Sequence, residues 1–256
     1  MIGRLATALA AFVRTWFAAR VVAPRLDPVR RRHLSRRLAA RTLRDLGLTA
    51  RIRGERPLAH RPSLIVANHV SWVDVQAIGA IVTARFVAKS ETRRWPILGT
   101  IARGFDTFFL VRTSCRDAAR VVRRVAAALA AGDSVVVFPE GTTTLGAELL
   151  RFYPAFFQAA IDAGVPVQPV AVRYLGCDRQ RTEAPAFVGD TTFAQSLARI
   201  VGTRGLEVEV AFGSPIDPRG RTRRQLAAAA HETIGGLLGL PRRDAPGSLD
   251  PLRRAA

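Results

Sequence analysis

The spacing of apolar residues changes character at about Thr49. Downstream, short apolar runs alternate with longer amphipathic stretches, which is how strands and helices alternate in an α/β fold. The runs predict strands near Leu64–Ala67, Phe86–Ala88, Thr107–Val111, Ser134–Phe138, Val167–Val172 and Leu206–Phe212. Between them, helical spacing predicts helices over Trp72–Ala80, Arg116–Ala131, Pro154–Ala163, Phe193–Val201 and Arg223–Leu238. The clearest is Arg116–Ala131, where Val121, Val122, Val125, Ala128 and Leu129 share one stripe and Gly132 stands ready to end the helix. The expected fold is α/β, a mostly parallel central sheet flanked by helices. A chain of 256 residues that is 48% apolar suffices for one substantial core.

Upstream of Thr49 the pattern is helical throughout. At 100° per residue, Ile2, Leu5, Leu9, Phe12, Val13, Trp16 and Phe17 fall on one face, with Arg4, Thr7, Arg14 and Ala18 opposite. Arg4, Arg14 and Arg20 interrupt the apolar stretch, so it is expected to lie in a membrane interface rather than cross the bilayer. Packing against the domain and a cleaved signal peptide are the two competing readings. The chain therefore divides into an N-terminal amphipathic, basic, membrane-binding region (1–48), an α/β domain (49–240) and a loosely ordered tail (241–256).

Charge adds weight to the membrane reading. The chain carries 39 basic residues against 20 acidic ones, a net +19, and all but Lys89 of the basic residues are arginine. Residues 1–50 hold eleven Arg and two acids, a local +9 beside the apolar stripe. Basic residues near anionic lipid gain about 1 kcal/mol each. An anionic membrane surface at the cytoplasmic face is the expected partner, with the protein held peripherally or monotopically. Nucleic acid is not expected, because aromatics do not interleave with the basic clusters and no RNA-binding or zinc-finger signature occurs. Cys115 and Cys177 form neither a disulfide framework nor a metal-ligand spacing, so no metal is expected and a reducing compartment follows.

Two strand ends carry candidate chemistry. Ser63–Asp74 runs from an apolar strand into Asn-His-Val-Ser-Trp-Val-Asp, placing His69 on the turn and Asp74 in the first turn of the next helix. An imidazole held by a carboxylate is a competent general base near neutral pH. Ser71 and Asp74 also fit a capping box, which would account for both without catalysis. Val135–Thr144 again empties an apolar strand into a polar turn, with Glu140 beside the core strand, Gly141 permitting close backbone approach, and Thr142 offering a hydroxyl. A plain β-turn with a solvated glutamate is its bland alternative.

Together the segments Asn68–Asp74 and Phe138–Thr142 resemble the N-H-x-x-x-x-D and F-P-E-G-T motifs of the glycerolipid acyltransferase family, which acylates 1-acylglycerol 3-phosphate and related lysolipids. The resemblance covers residues 50–215. It implies acyl transfer from acyl-CoA or an acyl-carrier-protein thioester to a lysolipid hydroxyl, with no cofactor beyond that co-substrate. His69 would act as base, oriented by Asp74, while Glu140, Gly141 and Thr142 would hold the acceptor. Arg112, at the end of a strand that looks like the family's phosphate-binding block, would take the substrate phosphate. Lys89, in the segment Phe86–Lys89 that matches the family's F-V-A-K, would serve a phosphate or an oxyanion. The implied product is phosphatidic acid. Thr143 stands where phosphate-specific members commonly have arginine, and with Phe187–Asp190 it also resembles lyso-ornithine lipid acyltransferases, the alternative acceptor class. A non-catalytic basic binding module is the remaining alternative.

Overall fold

The computed structural model describes residues 2–55, 61–111 and 113–241. The chain opens with helices α1 (Ile2–Phe17) and α2 (Pro28–Asp45), then strands β1 (Thr49–Gly54) and β2 (Leu64–Ala67). Helix α3 (Val73–Ile81), strand β3 (Arg85–Lys89), helix α4 (Leu98–Gly104) and strand β4 (Phe108–Leu110) follow. The second half runs α5 (Cys115–Ala130), β5 (Val135–Val137), α6 (Phe157–Ala163), β6 (Val167–Leu175), α7 (Phe193–Gly202), β7 (Glu207–Phe212) and α8 (Arg223–Leu238). Among the described residues the strands form one sheet in the order β1-β7-β6-β2-β5-β3-β4. Strands β6, β2, β5, β3 and β4 run parallel to one another, β7 runs antiparallel to β6, and β1 is parallel to β7. The fold is thus α/β with a mostly parallel sheet between two helical layers.

The central strands read as unbroken apolar runs because both sheet faces are covered. In β2, Leu64 and Val66 face the cluster built with α5, α6 and α8, while Ile65 and Ala67 face the one built with α1, α2, α3 and α7. Helix boundaries follow local chemistry. Thr192 with Gln195 and Thr222 with Gln225 form reciprocal capping boxes that start α7 and α8. Gly132, at φ +94, ends the α5 segment as its sequence position predicts.

Two elements carry no clear sequence signal. Strand β1 is exposed at all six positions, so it shows no buried alternation. It is held by its ladder with β7 and by ion pairs from Arg51 to Glu207 (2.7 Å) and Arg53 to Glu209 (3.5 Å). Helix α4 is short, and Gly104 at its end lies against the N-terminal helical segment: a Cβ there would come within 2.4 Å of the Ala19 carbonyl oxygen.

The N-terminal helix continues from α1 through a π turn at Ala18–Val22 and a 3-10 turn at Ala23–Arg25. By length and composition the stretch Gly3–Arg25 could cross a membrane. One face of it nevertheless packs on the body. Ala8, Ala11, Phe12, Thr15, Ala18 and Ala19 are buried, Arg4 donates to the Thr203 carbonyl, and Arg14 pairs with Asp45 at 2.5 Å. Leu5, Leu9, Val13, Trp16 and Phe17 remain exposed on the other. The expected apolar stripe is therefore split. Phe12 turns inward, against Trp72 and Phe193, while Arg4 and Arg14 anchor the helix instead of facing solvent. Docking on the domain and an outward apolar face coexist on one helix. Helix α2 is tied down by Arg31 to Asp106 (2.9 Å) and Arg32 to Asp133 (2.7 Å). The C-terminal tail from residue 242 lies outside the described residues.

Candidate active site

Because β2, β5, β3 and β4 are parallel, their C-terminal ends open on one edge of the sheet, where ligand sites of α/β folds concentrate. The turn after β2 delivers Asn68 and His69, and the turn after β5 delivers Phe138 to Gly141. Lys89 ends β3 and is exposed. Arg112, two residues beyond β4, lies outside the described residues.

Asn68 is buried and fastens its turn to β6 in both directions. Its amide donates to the Val172 carbonyl (3.0 Å) and its side-chain oxygen accepts the Val172 N–H (2.7 Å). His69 follows, with Nδ1 2.7 Å from Asp74 Oδ2. The same carboxylate oxygen accepts the backbone N–H groups of Val70 (2.8 Å) and Ser71 (2.9 Å). Asp74 is fully buried, and its other oxygen accepts the Tyr174 hydroxyl at 2.6 Å. Burial, then the neighbouring carboxylate, pushes the Tyr174 phenol well above its usual range, so it stays a donor. Only half of the expected capping box forms: Asp74 accepts the Ser71 N–H, but the Ser71 hydroxyl accepts the Val73 N–H rather than that of Asp74, and α3 starts after Trp72 without a side-chain cap. The same Asp74 carboxylate also holds the imidazole. With Nδ1 on Asp74, Nε2 is the ring nitrogen directed away from the carboxylate. The ring stacks on Phe138, 3.9 Å between centroids and 15° from parallel, which adds a steric brace to the hydrogen bond.

Glu140 joins the two turns. Oε1 accepts the His69 N–H (2.7 Å) and Oε2 accepts the Leu150 N–H (2.9 Å), while Thr144 N–H returns to the His69 carbonyl (2.9 Å). The carboxyl is buried, and desolvation raises its pKa to about 7 despite both backbone donors. Its position is that of a strut between loops, each oxygen accepting a backbone amide. Gly141 adopts φ +74 against the Tyr153 ring, a conformation in which a β-carbon would be strained. Thr142 is exposed at the rim, and Thr143 donates its hydroxyl to the Phe187 carbonyl.

The structure thus brings His69, Asp74, Glu140 and Gly141 into one hydrogen-bonded constellation, with Thr142 beside it and Lys89 on the same sheet edge. Sequence reasoning missed Tyr174 and the bracing of Asn68 and Phe138. The available signal for Tyr174 was a phenol, one of two in the chain, within an otherwise apolar buried strand. Among the described residues no group of His, Cys, Asp or Glu has the arrangement of a metal site.

Comparison with known proteins identifies the setting. Residues 49–173 match the family model described as Acyltransferase. A lyso-ornithine lipid O-acyltransferase of Pseudomonas aeruginosa is 37% identical over 230 residues, 89% of this chain and 87% of that protein. A 1-acyl-sn-glycerol-3-phosphate acyltransferase of Neisseria gonorrhoeae is 40% identical over 170 residues, 66% of this chain and 65% of that one. The fold is shared with the crystal structure of the 1-acyl-sn-glycerophosphate (LPA) acyltransferase PlsC from Thermotoga maritima. The TM-score is 0.66 at 23% identity, over 93% of this chain and 97% of that one. With 37% identity spread over 89% of this chain and 87% of the Pseudomonas protein, and the family model matching the residues that carry the histidine–aspartate pair, this chain belongs to the acyltransferase family.

Proposed function

We propose that this enzyme moves a fatty acyl group from acyl-CoA or acyl-carrier protein to the hydroxyl of a lysolipid. The observation that carries the reading is the His69–Asp74 pair at 2.7 Å, with Nδ1 occupied and Nε2 directed away. Nε2 takes the acceptor's hydroxyl proton as its oxygen attacks the thioester carbonyl. Asp74 holds the tautomer and stabilises the imidazolium that forms. Collapse of the tetrahedral intermediate breaks the C–S bond, and the imidazolium returns the proton to the departing thiolate. No acyl-enzyme is needed. Glu140 keeps the loops in register, Gly141 and Thr142 flank the acceptor, and Lys89 and Arg112 supply positive charge to a phosphate or an oxyanion.

One acceptor that fits this reading is 1-acylglycerol 3-phosphate, giving phosphatidic acid. A second reading, acylation of lyso-ornithine lipid, is favoured by Thr143, which stands in place of a basic residue and turns its hydroxyl to Phe187. Residues 1–48 form the membrane-binding region, with the exposed face of α1 in the interface and the local +9 drawing the protein to the anionic cytoplasmic leaflet. The test is to supply detergent-solubilised protein and its His69→Ala form with palmitoyl-CoA or palmitoyl-acyl-carrier protein and a panel of lysolipids, reading products by mass spectrometry. Loss of the general base should lower turnover by roughly 10²–10⁴-fold. Equal turnover by the two forms would reject the mechanism.

A further inference from the structure

Beside the catalytic turns lies an open groove lined by Trp95, Phe187, Gly189, Asp190, Thr191, Thr192 and Phe193. Its wall is bonded directly to the site. The Phe187 N–H donates to the carbonyl of Val70, the residue after His69, at 2.9 Å, and the Phe187 carbonyl accepts the Thr143 hydroxyl. The Phe193 ring lies 5.0 Å from Trp72, in the turn between His69 and Asp74. A head group in this groove would sit within a few residues of the base.

The lining is chemically unusual for this chain. Among the described residues, three aromatic rings and a carboxylate line the groove without a single arginine or lysine, although basic residues outnumber acidic ones by 39 to 20. Asp45, Asp106, Asp117, Asp133, Glu207 and Glu209 are each paired with arginine. Asp190 is exposed at the groove and makes no ion pair among the described residues. A carboxylate that lines the same groove as aromatic side chains is chemistry suited to an ammonium ion, through a charge-assisted hydrogen bond and cation–π attraction. A phosphate monoester there would meet a like charge, with no arginine or lysine among the described residues that line the groove.

We propose that this groove holds the primary ammonium of an amine-bearing lysolipid head group, with Asp190 as its ion partner and Trp95 and Phe187 as its walls. This rests on the acyl-transfer reading and selects, within it, the amine-bearing acceptor over the phosphate-bearing one. Ring contact and a partly solvated ion pair together correspond to about tenfold in specificity.

The experiment measures kcat/KM of the full chain in detergent with palmitoyl-CoA or palmitoyl-acyl-carrier protein. The acceptors are lyso-ornithine lipid, the same lipid N-acetylated on its side-chain amine, and 1-acylglycerol 3-phosphate. The wild type should prefer the free amine over its acetylated form by about tenfold, and Asp190→Asn should bring that ratio to within about twofold of unity. Asp190→Lys should invert it. A wild-type ratio near one, or a ratio that Asp190→Asn leaves unchanged, would overturn the assignment. So would transfer confined to 1-acylglycerol 3-phosphate, while leaving the acyl-transfer reading intact. Failure to acylate any of the three by a folded protein would sink both.

Discussion

Asp74 is shut off from water, yet it accepts three hydrogen bonds on one oxygen and one on the other. A buried carboxylate is tolerable only when so surrounded, and removing one donor costs about 1–3 kcal/mol. Tyr174 is the donor that acts on the histidine only through Asp74. Tyr174→Phe should therefore lower kcat by on the order of tenfold, the coupling typical of groups in contact. In an Asp74→Asn background the same substitution should change kcat by less than about twofold. Multiplicative losses in the double variant would show that Tyr174 works through packing alone. Glu140 makes a separate prediction. Its folded value of about 7 lies above its ordinary 4.5, so between these pH values the folded protein keeps a proton that the unfolded chain has released. The stability contributed is full below pH 4.5 and is lost as pH rises through 7. Glu140→Gln cannot ionise, so the stability of the wild type relative to this variant should fall by on the order of 2–3 kcal/mol between pH 4.5 and 8. Parallel thermal-unfolding curves across that range would reject the assignment.

At the scale of elements, α1 carries two jobs on two faces. Phe12 is buried, and replacing such a residue by alanine typically costs about 3–5 kcal/mol. Deleting residues 1–23 would thus strip core contacts along with any membrane contact, and loss of vesicle binding by such a truncation would be ambiguous. Substituting the outward residues alone separates the two. Leu9→Ser, Val13→Ser and Phe17→Ser together remove side chains that would each gain up to about 1.5–3 kcal/mol if fully buried in lipid. Binding to anionic vesicles should weaken at least roughly tenfold while the unfolding temperature holds. Unchanged sedimentation with vesicles would remove α1 from the membrane contact. Gly104 belongs to the same scale: its lack of a side chain lets α4 touch the helical segment at Ala19, so the glycine that heads the stretch leading to Arg112 serves helix packing.

Across the whole molecule, parallel order at the sheet centre gathers the strand ends onto one edge, beside a docked amphipathic helix. The α/β class was legible in the sequence because buried central strands must be apolar on both faces and the flanking helices on one. His69, Asp74, Glu140 and Gly141 were legible because their motifs sit where apolar runs stop. Strand β1 was not, since its six exposed residues are held by backbone pairing and ion pairs to β7, which leave no periodicity. Nor was the division of labour on α1: helical spacing sorts side chains by direction and says nothing of which direction meets a partner. The sequence by itself determined the fold class, the chemical pair and its family resemblance, because those depend on local polarity and on residue type at fixed spacing. Only the tertiary structure decided that Glu140 is a strut, that Tyr174 completes the brace on Asp74, and that Phe12 points inward. Each of those rests on contacts between residues far apart in the chain, and such contacts exist only once the sheet has brought β2, β5 and β6 side by side.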